Sequence, residues 1–179
     1  MRSSIRRSAG LSGALLLAVT GGTLAAGPAR AAGAPEPRVI SCSGTIAETF
    51  SPGLTVRKRP TRVTAHSKLT CTGGAVASVA FSSSYVVEAS CLSNQLISVG
   101  SPQFRWDTGG GSTATFTYVV GRPAGQTVSA GVGEVMTGRF AGYAATRVLA
   151  SPAPDAYKCL GSGIPSAKGV DHVTLVAQP

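Results

Sequence analysis

The chain has little of what most enzymes are built from. Its 179 residues hold two histidines, His66 and His172, and seven acids. A serine nucleophile needs a base, so only those two histidines could serve one. Asp171 and His172 are adjacent and suggest a dyad. On a strand, however, neighbours point to opposite faces and cannot pair with each other. Ser112, in Gly110-Gly111-Ser112-Thr113-Ala114, resembles a nucleophile elbow only loosely: the last glycine is missing and no helix is expected after it. A glycosidase needs two carboxyl groups at a set separation. Glu36, Glu48, Glu88, Asp107, Glu134, Asp155 and Asp171 show no such pairing along the chain. We assign no catalytic residue. A Cys-x-x-Cys pair is also missing, and the four cysteines are widely spaced, which argues against zinc. No spacing supports a metal at the histidines, and no motif calls for a cofactor. After the N-terminus no run approaches the ~20 apolar residues of a membrane helix. There is no internal repeat and no heptad.

What is there begins with a leader. Arg2, Arg6 and Arg7 precede an apolar, small-residue stretch from Leu11 to Ala26, and Ala29-Arg30-Ala31 fits the signal-peptidase rule. We expect a signal peptide over 1–31, with Thr23-Leu24-Ala25 as a second cleavage point, and a secreted protein. Arg6-Arg7 raises the twin-arginine route. Ser8-Ala9-Gly10 lacks the bulky residues of that route and favours the general one. A flexible tail over 32–37 and a single domain over 38–179 would follow. Four arginines leave with the leader, so twelve basic residues face seven acids. The mature chain is moderately basic.

Four cysteines behind an export signal predict two disulfides. If Cys42 and Cys71 face each other on a hairpin, its centre falls at Val56-Arg57, in a turn-rich segment. Cys71 with Cys91 would centre near Phe81, inside an apolar run. The preferred pairs are therefore Cys42–Cys71 and Cys91–Cys159.

Phe104 to Val120 reads as two strands around Asp107-Thr108-Gly109-Gly110-Gly111, since glycine reaches positive φ without steric cost. Ala114, Phe116, Tyr118 and Val120 alternate with threonines and Val119, the mark of a sheet with one buried side. Ile40, Cys42, Gly44 and Ile46 share a parity in a first strand, Arg38 to Phe50. Ser51-Pro52-Gly53 reads as a turn, and Val63, Ala65 and Leu69 as one face of a second strand. Ser82-Ser83-Ser84 interrupts a third, near Gly131 and Gly133 two more would join, and Val170 to Val176 would be the last. Eight or nine short strands without a long amphipathic helix predict an all-β fold: an antiparallel β-sandwich, immunoglobulin-like or similar. Trp106 belongs in its core near a disulfide; a surface platform for sugar is the alternative.

One local charge feature stands out. Arg57, Lys58, Arg59, Arg62 and Lys68 fall in a segment without acids between Glu48 and Glu88. Such a cluster could dock an anionic cell-envelope polymer: teichoic acid, acidic polysaccharide or extracellular nucleic acid. The alternative is a solvated turn whose charges guard a sheet edge. No aromatic residue interleaves with it, which argues against single-stranded nucleic acid, and no sequence-specific nucleic-acid partner is expected. Tyr157-Lys158-Cys159, after Ser151-Pro152-Ala153-Pro154-Asp155, offers an extended, tied loop of the kind protease inhibitors use.

The leader ending in Ala29-Arg30-Ala31-Ala32 is joined by V-I-S-C-S-G-T from Val39, S-P-G-L-T from Ser51, F-R-W-D-T-G-G-G-S-T from Phe104 and Y-K-C-L-G-S-G-I from Tyr157. With these the chain resembles the small secreted, disulfide-bonded, β-rich proteins of unknown function from high-GC actinobacteria. The resemblance covers most of the mature chain. It implies secretion, disulfides and a β fold, and it carries over no functional residue. The expected role is a non-enzymatic binding or structural module at or near the cell envelope; the alternatives are a small secreted hydrolase or a protease inhibitor.

Overall fold

A computed structural model describes residues 37–92 and 98–179. The expected signal peptide, all of the expected tail but Pro37, and Glu36 lie outside the described residues. Nine strands run in order: β1 Val39–Leu54, β2 Arg59–Thr72, β3 Ser78–Ala89, β4 Ser98–Gly100, β5 Gln103–Trp106, β6 Gly111–Gly121, β7 Gln126–Gly138, β8 Ala144–Pro152 and β9 Ile164–Val176. Every pairing is antiparallel.

The expected β-sandwich, immunoglobulin-like or otherwise, is wrong: the sheet closes on itself. β4 and β5 lie along one side of β6, broken apart at Ser101-Pro102, and count as a single stave. β7 takes the other side of β6. The remaining staves run β5, β3, β2, β1, β9, β8, β7, so the ring is an eight-stranded barrel. Alternation and turn spacing are the same in a sandwich and a barrel. β6 and β7 are chain neighbours joined through 122–125; only the long-range pairing of β1 with β9 tells the two apart.

Several expected breaks lie inside strands. Ser51-Pro52-Gly53 belongs to β1, where the register against β9 shifts between Thr49 and Leu54. A bulge there accommodates proline. Ser82-Ser83-Ser84 continues β3, and Gly131 and Gly133 continue β7. The real first turn is 55–58, so the expected centre at Val56-Arg57 is right. Cys42 stands opposite Cys71 in the register and bonds to it. The second bridge, Cys91–Cys159, also forms as expected. It ties the end of β3 to a short helix, α1 (Ala156–Leu160), which the proline-rich sequence before it does not announce. Asp155 caps α1 by accepting from the Lys158 amide at 3.0 Å.

One end of the barrel is filled. Phe104 stacks on Trp106 at 5.7 Å, and Trp106 meets Phe140 edge-on at 5.0 Å. Trp106 is buried in the same cluster as the Cys42–Cys71 bridge, so the core reading of Trp106 holds. Its Nε1 donates to Ser112 Oγ at 2.9 Å, and Ser112 donates in turn to the Arg139 carbonyl. The other end carries the turn 55–58, the end of β3, the β6–β7 connection and α1.

Candidate functional site

The inward rows of the barrel change character half-way along. In β8 the row runs from Ala145 to Arg147; in β9 it runs back from Val173 to Asp171. Both charges are buried. Arg147 Nε donates to Asp171 Oδ1 at 3.1 Å and Nη2 to Oδ2 at 2.8 Å. Nη1 donates to the Tyr118 hydroxyl at 3.0 Å. Ser67 Oγ adds a bond to Asp171 Oδ2 at 2.6 Å. The guanidinium also lies 3.9 Å over the Phe81 ring, a cation–π contact. Burial opposes the Arg147 charge, but its hydrogen bond and charge pairing with Asp171 win and hold its pKa raised. The bidentate fork is the strong form of such a pair.

Arg147 is the floor of a cavity of about 190 Å³. Its walls are apolar at Ile46, Phe50, Val63, Val87, Val120 and Leu149, polar at Glu48, Ser83, Tyr85 and Tyr118, and carry a second cation, Arg122, at the end of β6. Eight strands is the size at which a barrel either fills with side chains or holds one small ligand. This barrel is filled with side chains at one end and leaves a cavity at the other. Tyr118 has room because glycines flank it. A Cβ on Gly131 would come within 2.6 Å of its ring, and one on Gly100 within 3.1 Å. At the mouth Thr127 Oγ1 is buried without a hydrogen-bond partner among the described residues.

Glu48 is the distinctive group. It lines the cavity just above Arg147, yet no described residue donates a hydrogen bond to its carboxyl. Burial raises its pKa, the Arg147 charge pulls it back, and Asp171 raises it further. Tyr85 is pushed up to about 12, first by burial and then by the Glu48 and Tyr118 charges. Burial likewise raises Tyr118 despite the Arg147 charge and hydrogen bond.

The sign of the Glu48 shift sets a test. A carboxyl whose folded pKa lies above its unfolded value of 4.5 is destabilising once ionised. Stability is complete below the unfolded value and is lost as pH rises through the folded one. Glu48→Gln should therefore match the parent in thermal unfolding below about pH 4 and exceed it at pH 7. A variant less stable at pH 7 than at pH 4, relative to the parent, would contradict this environment.

No family model, curated protein or solved structure matches this chain. The cavity's own chemistry carries the functional reading.

The residues singled out from sequence are dispersed. Arg57 and Lys58 are exposed in the turn 55–58. Arg59 is half-buried and donates through Nη2 to the Gly53 carbonyl at 2.7 Å. Arg62 and Lys68 are exposed on the outer face of β2, and Lys68 stands well along towards the filled end. Four of the five thus gather near the mouth, and Lys68 does not join them. Asp171 points in and His172 out, as expected; His172 Nδ1 lies 2.8 Å from Ser43 Oγ. Ser112 is engaged with Trp106 and Arg139 and faces no histidine. Tyr157 and Lys158 are helical, not extended, which removes the basis of the inhibitor loop. Among the described residues no helix is long and apolar enough to cross a membrane, and no three ligating side chains gather for a metal.

Sequence reasoning missed Glu48, Tyr85, Tyr118, Arg147 and Asp171. The signal was present as charge on an apolar parity. Ile40, Cys42, Gly44 and Ile46 continue to Glu48, and Arg147 sits between Ala145 and Leu149.

Proposed function

We propose that this chain is a secreted, non-enzymatic binding protein of the cell envelope that carries one small molecule inside its barrel. The observation that supports it is the half-hollow interior, with apolar walls around a carboxyl to which no described residue donates. An occupant fitting these walls has an apolar body and a head that donates hydrogen bonds, a protonated amine or a hydroxyl. Arg147 is already neutralised by Asp171, so at the floor a carboxylate head meets Glu48, which repels it; the other lining cation, Arg122, stands at the end of β6 towards the mouth. Two disulfides are consistent with an extracellular location.

The experiment is displacement of a neutral fluorescent naphthylamine from the oxidised protein by alkyl amines, alcohols and carboxylates of equal length. Amines should outcompete carboxylates by about tenfold or more at pH 7, as one charge-assisted bond implies. A cation beside Glu48 favours its ionised form, so amine affinity should rise with pH through the raised Glu48 pKa. Glu48→Gln should remove both the preference and its pH dependence. Ala65→Trp, which fills the cavity, should abolish binding. Failure of the dye to bind, or binding unchanged in the Ala65→Trp variant, refutes the reading.

A further inference from the structure

The mouth of the barrel is rimmed by side chains that a soluble surface does not favour. Tyr157 is 89% exposed, Leu160 73%, Leu92 66% and Val56 38%. They come from three separate segments, and covalent and backbone bonds bring them together. The Cys91–Cys159 bridge places Leu92 beside α1. The Cys91 amide donates to the Thr55 carbonyl at 2.8 Å, which brings in Val56 and its turn. Beneath them Cys91, Cys159 and Ile164 pack with Phe50 and Leu54 as a small core of their own. Tyr157 and Leu160 are three apart on α1, so they share a side of it, while Cys159 faces inward. Arg57, Lys58 and Lys158, all exposed, are interspersed with these four residues.

We infer that this rim docks on an anionic lipid bilayer. A tyrosine, two leucines and a valine tied among three cations match the chemistry of the bilayer interface. There aromatic rings sit at headgroup level, aliphatic tips enter the acyl boundary and basic side chains meet lipid phosphates. Charge complementarity selects the occupant: exposed apolar side chains alone would suit a protein, but three cations among them, against the acid Asp155 that caps α1, suit a negatively charged surface. The bridge holds the apolar tips in place before contact, so little ordering is needed on binding. The inference is independent of what the cavity holds, though docking at the mouth would bring lipid to the cavity's opening.

The test uses the oxidised chain from Ala32 onward, which contains the whole compact unit Pro35–Pro179. It is floated with vesicles of phosphatidylcholine alone, or mixed with phosphatidylglycerol at about seven to three, across a salt series. Each basic residue near an anionic surface is worth about fivefold in partitioning. Association should be confined to the mixed vesicles and fall steeply with salt. Arg57→Glu with Lys58→Glu should weaken it about tenfold or more, and Tyr157→Ser with Leu160→Ser should do so separately. Lys158→Glu alone, on the helix surface, should weaken it by several-fold. Naphthylamine affinity, where the parent shows it, should be unchanged in all three, and circular dichroism should show each still folded. No flotation with mixed vesicles overturns the inference. So does flotation indifferent to both rim variants, concentration-dependent dimerisation lost in Tyr157→Ser/Leu160→Ser, or binding to soluble teichoic acid in preference to vesicles.

Discussion

Asp171→Ala is expected to lower stability by about 3–5 kcal/mol, the cost typical of breaking a buried ion pair by removing one partner. The lost carboxylate accepts two bonds from Arg147 and one from Ser67. Without it a guanidinium remains inside the barrel with Tyr118 as its remaining hydrogen-bond partner. Asp171→Asn keeps the shape and loses the charge, so it should fall nearly as far. Arg147→Met with Asp171→Leu removes both charges and should recover most of the loss, because hydrophobic replacement of a whole buried pair is often neutral. Glu48 gives the series a further check. Asp171 raises the Glu48 pKa and Arg147 lowers it, so in Asp171→Asn the glutamate should become the counter-ion of Arg147. Adding Glu48→Gln to that background should then destabilise, whereas the same change in the parent stabilises at pH 7. Urea midpoints at constant slope would measure all of these. A loss below about 1 kcal/mol for Asp171→Ala would mean that water already reaches the pair.

Removing the Cys91–Cys159 bridge is the second large effect. The two residues are 68 apart in sequence, against 29 for Cys42 and Cys71. Loop-closure entropy puts the longer bridge at about 4 kcal/mol and the shorter somewhat below it. The native contexts widen the difference. Cys42 and Cys71 face each other on strands that stay paired through the whole β1–β2 ladder without them. Cys159 is in α1, whose described attachment to the barrel is the small cluster around the bridge. Cys91→Ser with Cys159→Ser should therefore unfold at clearly lower urea than Cys42→Ser with Cys71→Ser. It should also expose 153–163 to limited proteolysis in the native state. Equal midpoints and equal resistance to protease would show that the turn 55–58 and β9 hold α1 unaided.

Much of the fold was legible because it is local. The alternation in β6, the loop before it and the pairing of Cys42 with Cys71 each follow from a short stretch or a symmetry. Closure was not legible, since it depends on β1 meeting β9, more than a hundred residues away. Strand lengths were underestimated for a related reason. Gly133 looks like a turn residue, but in β7 it lets the strand press against β6, where a Cβ would collide with the Thr115 carbonyl. Pro52 looks like a terminator and sits at a bulge. The site was half legible. Three charges occupy inward rows, and each breaks an apolar parity visible in the sequence. Their convergence needs the barrel, because Glu48, Arg147 and Asp171 come from three strands. The basic turn was visible as well, but its apolar companions Tyr157 and Leu160 are some hundred residues away and reach it through the Cys91–Cys159 bridge and the pairing of Leu54 with Ile164.

The staves of the barrel are unequally fastened. Among the described residues, β5 holds β3 from Val79 to Ser82, β4 holds β6 from Ser98 to Gly100, and the ladder of Ser83 to Val87 is with β2. Local opening starts where backbone bonds are few, so amide hydrogens from Ser83 to Val87 are expected to exchange with solvent before those of β1 and β9, which are laddered on both sides. Ser83, Tyr85 and Val87 from this same stretch line the cavity. A molecule seated against them ties the loose stave to its neighbours, and its presence is then recorded as slowed exchange in one strand of an otherwise unaltered protein.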